Sequence, residues 1–205
     1  MNDPPTLLIA TSNRGKLREV RGVLGDLAIL LRALDEFPAI EEPVEDKDTF
    51  AANARLKAIY YARHTGCWAL ADDSGLEVEV LDGAPGVRSA RFAGIPRDDK
   101  ANNAKLIAAL RGVPAARRAA RFQCAIAVAN GKGVLAEASG VIEGVIVSKA
   151  RGDNGFGYDP HFLVPELGKT TAELEPAVKN RISHRGRALA AIRPELERIL
   201  SLSPK

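Results

Sequence analysis

An apolar run near the N-terminus leads directly into a helical pattern, which indicates a strand, a tight turn and a helix in succession. The run covers residues 6–10, and the apolar positions of the helical pattern are Leu17, Val20, Val23 and Leu24. Recurrence at three and four residues is typical of an amphipathic helix. A strand that feeds a helix without a linker is common in α/β proteins, so this segment indicates the fold class.

The rest of the chain alternates predicted strands with predicted helices. Strands are expected at residues 28–31, 67–71, 76–80, 122–128 and 134–147, and helices after Thr49, Asp98 and Ser183. Asn130 and Gly131 supply a hairpin turn between the last two strands. Strands mixed with helices, with one antiparallel hairpin, predict an α/β (mixed α+β) fold around a mixed sheet.

The composition describes an ordinary globular protein of 205 residues. Its 29 basic and 26 acidic side chains leave a formal net charge of +3, too little to bind nucleic acid by bulk charge. The apolar runs are too short to span a bilayer. Residues 1–5 carry acid and proline where a signal peptide needs basic residues. We therefore expect a cytoplasmic protein with neither a nucleic-acid nor a membrane partner.

Two cysteines, Cys67 and Cys124, lie in apolar runs far apart in the sequence. Neither has a second cysteine or a histidine at the spacing of a metal site. We predict two buried, reduced thiols.

The turn after the first strand is a candidate phosphate-binding loop. It consists of Thr11, Ser12, Asn13, Arg14, Gly15 and Lys16. Backbone N–H groups at a helix start attract anions, Gly15 allows close approach, and Lys16 adds a cation. The alternative is that Ser12 or Asn13 only caps the helix while Lys16 pairs with Glu19 on its surface.

Asp72 and Asp73 are candidate ligands of a metal ion. They are expected in a turn at the end of the strand over residues 67–71, where ligand sites of α/β sheets tend to open. Adjacent carboxylates repel, so a site with both ionised favours a cation, and their oxygens suit Mg²⁺. Further carboxylates come from Glu41, Glu42, Glu45, Asp46 and Asp48. The alternative is a solvated Asx turn ahead of Gly75.

Residues 155–160 place two aromatic side chains between glycines. A nucleobase could stack on Phe156, because the glycines let the backbone approach a planar ligand. The alternative is a Gly/Pro turn with packed rings.

Basic side chains gather around the start of the last predicted helix. They are Lys179, Arg181, His184, Arg185 and Arg187. Arginine donors and backbone amides there could bind a carbonyl or phosphate oxygen, and the alternative is a solvated basic face. Four features together point to a nucleoside triphosphate as the ligand. They are the candidate phosphate loop at 11–16, the acidic pair Asp72 and Asp73, the aromatic loop at 155–160 and the basic residues around the start of the last helix.

Five segments also match a known family in the same order. They are LIATSNRGK at 8–16, ADDSGL at 71–76, GAPG at 83–86 followed by SAR at 89–91, GFGYDP at 155–160 and SHRG at 183–186. Over about residues 6–200 the chain resembles the inosine/xanthosine triphosphate pyrophosphatases, the Ham1-like "house-cleaning" enzymes.

This resemblance implies a single catalytic domain over residues 1–205. Its fold would have two lobes around a long central mixed β-sheet with the active site in the cleft, and the enzyme would be a homodimer. The implied reaction is Mg²⁺-dependent hydrolysis of dITP, ITP, dXTP and XTP to the monophosphate and pyrophosphate.

The resemblance also implies roles for individual residues. The loop from Thr11 to Lys16 would hold the phosphates, and Ser74 would contact the substrate. Asp73 would be the general base and one metal ligand, and Glu45 would be the second metal ligand. Phe156, Gly157, Tyr158, Asp159, Lys179, His184 and Arg185 would surround the nucleoside. Because Asp73 would lie near Mg²⁺ and Lys16, we expect its pKa to be low.

Three positions depart from the family pattern. Lys47 stands where the family has glycine, which affects the loop that carries Glu45. Ala51 and Ala52 replace acidic residues, so a capping box with Thr49 is missing. Phe92 replaces a tyrosine and loses a hydroxyl group.

Two other functions compete with this interpretation. A nucleotide- or RNA-binding module would keep the pocket without turnover, although it has no need of a carboxylate beside a metal. The other competing function is that of a pyrophosphatase for ordinary or modified-pyrimidine nucleotides.

Donors aimed at the purine 6-oxo group would reject ATP, because its 6-amino group leaves a buried donor unpaired, at a cost of about 1–3 kcal/mol.

Overall fold

A computed structural model describes residues 5–202, so the expectation drawn from residues 1–4 lies outside the described residues. The strands are β1 (Thr6–Ile9), β2 (Leu30–Ala33), β3 (Trp68–Val78), β4 (Ala119–Asn130), β5 (Gly133–Ile146), β6 (Phe162–Val164) and β7 (Lys169–Thr170). The α-helices are α1 (Arg14–Leu24), α2 (Phe50–Thr65), α3 (Asp99–Ala109), α4 (Pro176–Ile182) and α5 (His184–Leu202). Short 3₁₀ turns, including Gly86–Arg91 and Thr171–Glu173, connect some of them.

The strands form one mixed sheet in the order β2-β1-β3-β4-β5-β6-β7. Strand β1 runs parallel to both of its neighbours, so that Leu8 lies opposite Arg32 on β2 and Ala69 on β3. Strand β6 is antiparallel to β5 and β7. The predicted mixed α/β fold is therefore confirmed.

Side-chain caps set the starts of three helices. The Asn13 side chain accepts hydrogen bonds at the start of α1, Thr49 caps α2 and Asp98 caps α3. Helix α2 ends at Gly66, whose φ of 71° suits a residue without a side chain. These boundaries confirm the predicted helices.

The prediction of a turn at residues 72–75 is wrong, because β3 runs through these residues as one strand. Charged residues persist inside this strand because each carboxylate has partners, as described below. Strand β2 begins two residues later than predicted, and β6, β7 and α4 were not predicted. These three elements have between two and seven residues, too few to give a periodic signal.

The described chain divides into two compact units by its contacts. Among the described residues, the first contains 5–73, 124–140 and 185–202. Its core includes Leu7 and Ile9 of β1, Leu70 of β3, and Leu189 and Ile192 of α5, each at most 1% exposed. The apolar stripe predicted for the last helix therefore packs in the core of this unit.

The second unit contains residues 74–123 and 141–184. Leu76 of β3, Leu106 of α3 and Phe162 of β6 are completely buried in its core. The rings of Phe162 and Phe122 lie 4.6 Å apart. The single catalytic domain over residues 1–205 stays a prediction.

Both cysteines are free thiols. Cys124 is buried as predicted, whereas Cys67 is only half-buried because it lies just before β3 begins. Within residues 5–202, none of the helices has the length and apolar character that a membrane crossing requires.

Replacement of Leu189 by alanine should lower the free energy of unfolding by about 3 kcal/mol, because it leaves a cavity in a closely packed core. The matched control is Leu30→Ala on β2, whose side chain is about half exposed at 51% and should matter far less. Urea denaturation of both variants measures the difference. Equal losses would show that α5 does not pack as described.

Candidate active site

Asp72 and Asp73 are neighbours on β3, and both are buried, at 6% and 7% exposure. Successive side chains of a strand point to opposite faces of the sheet. The two carboxylates accordingly have different partners. Burial within a strand rules out a solvated turn, and binding of one metal ion by both carboxylates stays a prediction.

Asp72 forms a buried ion-pair network in the first unit. Its Oδ2 lies 3.0 Å from Lys16 Nζ of α1 and 3.0 Å from Arg185 Nε of α5. Burial raises the pKa of Asp72, but the charges of these two cations outweigh burial and the net pKa is lowered. Arg185 also pairs with Glu19, so the alternative pairing of Lys16 with Glu19 is wrong.

Asp73 has a different environment. Its Oδ2 accepts a hydrogen bond of 3.0 Å from Asn53 Nδ2, and its Oδ1 lies 3.9 Å from Lys57 Nζ. Burial raises the pKa of Asp73, and Lys57 and Asn53 lower it only in part, so the net pKa is raised. Burial thus outweighs the nearby cations, and the low pKa expected for Asp73 beside Mg²⁺ stays a prediction.

Lys57 connects Asp73 to the acidic stretch. Its Nζ lies 3.0 Å from Glu45 Oε2. Burial lowers the pKa of Lys57, but the carboxylates of Asp73, Asp72 and Glu45 outweigh burial and raise it, so the side chain is charged. Glu45, Lys57 and Asp73 thus form a carboxylate–ammonium–carboxylate cluster, called the acidic cluster below.

Sequence reasoning missed Asn53 and Lys57. Both lie on α2 and are buried, at 1% and 8% exposure. The available signal was their spacing of four residues, which places two polar side chains on one helical face. That face also carries the buried Ala54 and Ala58. Polar side chains inside a buried apolar stripe are a reason to expect a site.

The acidic cluster fits Mg²⁺. This ion prefers oxygen ligands and commonly takes only one or two carboxylates besides waters and substrate phosphates. Glu45 and Asp73 both approach one cation, Lys57, whereas the charge of Asp72 is already balanced by Lys16 and Arg185. Among the described residues, no group of three or more His, Cys, Asp or Glu side chains could hold a metal. Two carboxylates are a number that Mg²⁺ commonly takes from a protein.

The candidate phosphate loop lies at the start of α1. Asn13 Oδ1 accepts from the backbone N–H groups of Gly15 and Lys16, at 2.8 and 3.2 Å. Thr11 Oγ1 accepts from Asn13 N, and Ser12 donates to Glu42. Asn13 thus caps the helix, and the phosphate-binding role of the loop stays a prediction. Arg14 is exposed, and Lys16 contributes its ammonium group to the buried network.

The departures at Lys47 and Ala52 both lie beside Asn53. The Asn53 side-chain amide forms hydrogen bonds with both backbone groups of Lys47. Asn53 Nδ2 donates to Lys47 O at 3.3 Å, and Asn53 Oδ1 accepts from Lys47 N at 3.0 Å. Thr49 Oγ1 accepts from Ala52 N without a reciprocal carboxylate, as expected. Asn53 therefore links the loop that carries Glu45 to Asp73.

A second polar cluster lies in the second unit around Asp159, which is 3% exposed. Its Oδ2 accepts from Lys179 Nζ and, at 2.8 Å, from Phe156 N. Lys179 is also buried, and its Nζ lies 5.1 Å from the centre of the Phe156 ring, within cation–π range. Gly155 has a φ of 80°, and a Cβ there would lie 2.1 Å from Asp159 Oδ2.

Helix α3 and Ser89 hold the two residues between Phe156 and Asp159. Gly157 N donates to Asp99 Oδ2 at 3.0 Å, and Gly157 O accepts from Asn103 Nδ2 at 2.8 Å. Tyr158 donates its hydroxyl to Ser89 O at 2.8 Å, and burial raises its pKa. The segment is thus more than a Gly/Pro turn with packed rings, and nothing in the sequence predicted the contacts with α3.

The basic residues near α5 do not behave as one group. Lys179, His184 and Arg185 are buried, which contradicts a solvated face, whereas Arg181 and Arg187 are exposed. His184 stacks on Phe122 in the second unit, with ring centres 4.8 Å apart. Arg185 belongs to the network of Asp72 in the first unit.

Ser74 follows Asp73 in β3 and belongs to the second unit, where it is half-buried. The predicted site residues therefore divide between the units. The first unit holds Thr11, Ser12, Asn13, Arg14, Gly15, Lys16, Glu45, Asp73 and Arg185, and the second holds Ser74, Phe156, Gly157, Tyr158, Asp159, Lys179 and His184.

Comparisons with known proteins agree over nearly the whole chain. The sequence model of the Ham1 family matches residues 7–195. A dITP/XTP pyrophosphatase of Desulforamulus reducens is 52% identical over 193 residues, 94% of this chain and 96% of that protein. One of Geobacter sulfurreducens is 50% identical over 190 residues, 93% of this chain and 96% of that protein. The solved structure of a HAM1 protein from Coxiella burnetii matches with a TM-score of 0.84 at 42% identity, covering 95% of this chain and 99% of that one.

Asp72→Asn should lower the free energy of unfolding by about 3 kcal/mol or more, because it leaves the buried cations of Lys16 and Arg185 uncompensated. The matched control is Asp26→Asn, since Asp26 pairs with Arg193 at the surface and is 71% exposed. That variant should lose far less in urea denaturation. An Asp72→Asn variant as stable as Asp26→Asn would contradict the network.

Proposed function

The chain belongs to the Ham1 family, and we propose that it hydrolyses dITP, ITP, dXTP and XTP to the monophosphate and pyrophosphate, removing non-canonical purine nucleotides from the nucleotide pool. The names of the two bacterial relatives support this activity. The observation that carries the proposal is the acidic cluster, in which the buried carboxylate of Asp73 adjoins the ammonium group of Lys57 and, through it, the carboxylate of Glu45. A protein that only binds nucleotides has no need of such a cluster.

Asp73 is the proposed catalytic residue. Its carboxylate orients a water molecule and accepts the proton as the water oxygen adds to phosphorus and the anhydride bond between the α- and β-phosphates breaks. Asn53 holds Oδ2 in place, which fixes the direction of the carboxylate.

Glu45 and Asp73 are the proposed ligands of Mg²⁺. When bound, Mg²⁺ neutralises the negative charge that develops on the phosphate oxygens. Lys57 holds both carboxylates at one place, and its charge counters their mutual repulsion.

The loop over residues 11–16 is the proposed phosphate-binding site. Asn13 fixes the loop at the start of α1, where the positive end of the helix dipole favours an anion. Lys16 adds a cation whose position is held by Asp72. Asp72 thereby supports the phosphate site, although its own negative charge is balanced by Lys16 and Arg185.

The second unit carries the proposed base-binding residues. Phe156 offers a ring on which a purine can stack, and Lys179 is a charged donor held beside that ring. Ser74, Gly157, Tyr158 and His184 complete the proposed group, and Asp159 contributes by holding Lys179. Base choice would come from donors to the 6-oxo group, so ATP should be rejected, and rejection of GTP would depend on the surroundings of its 2-amino group.

The contact of Arg185 with substrate stays a prediction, since its described partners are Asp72 and Glu19. We also propose, from the family resemblance, that the enzyme works as a homodimer in the cytoplasm. Gel filtration with light scattering would decide the oligomeric state.

The reaction is tested by release of pyrophosphate and orthophosphate from dITP, XTP, GTP and ATP, with Mg²⁺ and with EDTA. We expect pyrophosphate from dITP and XTP only, and none with EDTA, because the carboxylates of the acidic cluster require a divalent ion to engage phosphate. Orthophosphate as product would place cleavage at the γ-phosphate. No product from any of the four nucleotides would contradict the proposed function and favour a binding protein.

Asp73→Asn should lower kcat for dITP by about 100-fold or more, because an amide cannot accept the proton from water. Substrate binding should remain, since phosphate and base contacts come from other residues. Asp46→Asn is the control, as Asp46 is an exposed carboxylate next to Glu45. Steady-state kinetics of the two variants, with dITP binding measured by calorimetry, test the assignment, and near-normal turnover of Asp73→Asn would overturn it.

A further inference from the structure

The Asp159 carboxylate is surrounded by donors. Its Oδ2 accepts from Lys179 Nζ and Phe156 N, and its Oδ1 accepts from Thr171 Oγ1 at 2.7 Å. Three donors occupy most of the positions that a carboxylate offers, and the side chain is 3% exposed. Asp159 is therefore built as an anchor for its neighbours and has little capacity left to bind a base directly.

Thr171 is the part of this arrangement that the proposed function does not use. It is 2% exposed and begins the 3₁₀ turn Thr171–Glu173. Its hydroxyl also lies 3.2 Å from the backbone oxygen of Asp159, so one group contacts both the side chain and the main chain of that residue.

The turn that carries Thr171 is tied to the chain just before the aromatic loop. Asn154 N donates to Ala172 O at 3.0 Å, and Asn154 Nδ2 donates to Leu174 O at 3.1 Å. Arg151 pairs with Glu173. These bonds fix the distance between the turn and residues 155–159, so Thr171 approaches Asp159 from a rigid support.

We propose that Thr171 is a positioning residue for base binding: it orients the Asp159 carboxylate, which in turn holds the Lys179 ammonium beside the Phe156 ring. This inference rests on the proposed function, because it assigns the base to Phe156 and Lys179. A hydroxyl donor on Oδ1 sets the rotation of the carboxylate about its Cβ–Cγ bond. That rotation decides where Oδ2 meets Lys179 and Phe156 N.

Close packing adds to the constraint. A Cβ on Gly155 would lie 2.1 Å from Asp159 Oδ2 and 2.9 Å from Lys179 Nζ, so the backbone of Gly155 passes directly against the pair. A rotated carboxylate would have to displace this backbone or release Lys179. Loss of the Thr171 hydroxyl should thus weaken the hydrogen bonds of Asp159 Oδ2 with Lys179 Nζ and Phe156 N.

Three variants separate positioning from mere stability. Thr171→Val removes the hydroxyl with little change of shape, and Thr171→Ser restores it. Thr170→Val is the matched control, because Thr170 is the adjacent threonine, is completely buried, and its hydroxyl contacts Arg151 O at 2.7 Å and Glu173 Oε2 at 3.2 Å and not Asp159. Each valine variant loses one buried hydroxyl, so both should lose stability to a similar degree.

Kinetics with dITP supply the first readout. We expect Thr171→Val to raise KM about tenfold, equivalent to about 1.4 kcal/mol, with kcat within about twofold, because the base is remote from the reacting phosphorus. Thr171→Ser and Thr170→Val should keep KM within about twofold of the wild type. A Thr171→Val KM that matches that of Thr170→Val would overturn the proposal while the wild-type activity leaves the proposed function intact.

The second readout does not depend on activity. Hydrogen exchange of the Phe156 amide, followed by NMR without nucleotide, reports its bond to Asp159 Oδ2. Exchange should be faster in Thr171→Val alone. Unchanged exchange in that variant would overturn the positioning role even if the wild type proved inactive. An inactive wild type with faster exchange in Thr171→Val would support the positioning of Asp159 and contradict only the proposed function.

Discussion

Two adjacent carboxylates buried in the middle of one strand would be strongly unfavourable without compensating cations. The first unit is arranged to supply them. Helix α1 brings Lys16 to Asp72, α5 brings Arg185 to the same carboxylate, and α2 brings Lys57 to Asp73. Three helices from distant parts of the chain are thus held against β3 by charge as well as by their apolar faces. The two carboxylates differ in how far these cations offset burial, since the net pKa of Asp72 is lowered and that of Asp73 is raised.

The acidic cluster around Asp73 and the polar cluster around Asp159 each pair an aspartate with a lysine, but the two pairs differ in how closely they are bonded. In the second unit, Asp159 and Lys179 are both buried, and three donors engage the carboxylate. In the first unit, Lys57 Nζ stands 3.9 Å from Asp73 and closer to Glu45, so its charge is shared between two carboxylates. A closely bonded pair is suited to hold a shape, and a looser one is suited to exchange a partner for a metal and a substrate.

Local sequence signals predicted most of the fold, and they failed where charge and long-range contacts decide. Caps and periodicity predicted α1, α2 and α3, because such signals act within a few residues. Asp72 and Asp73 suggested a turn, since nothing in the neighbouring sequence reveals cations that lie on three different helices. Lys57 was not predicted as a site residue, because local sequence does not reveal its contact with Asp73 on another element. The family motifs identified the candidate residues, but not that Arg185 faces Asp72 or that Thr171 supports Asp159.

The alternation of β3 makes the spacing of its residues part of the chemistry. Pairing with β1 sets Trp68, Ala69 and Leu70 opposite Leu7, Leu8 and Ile9, and two residues later the strand presents Asp72 and then Asp73. A shift of one residue would turn each side chain to the other face. Asp72 would then meet the partners of Asp73, the proposed catalytic residue. An insertion or deletion of one residue between Trp68 and Asp73 would therefore exchange the partners of the two carboxylates as well as disturb the packing of β3, whereas the connections outside the strand can vary in length.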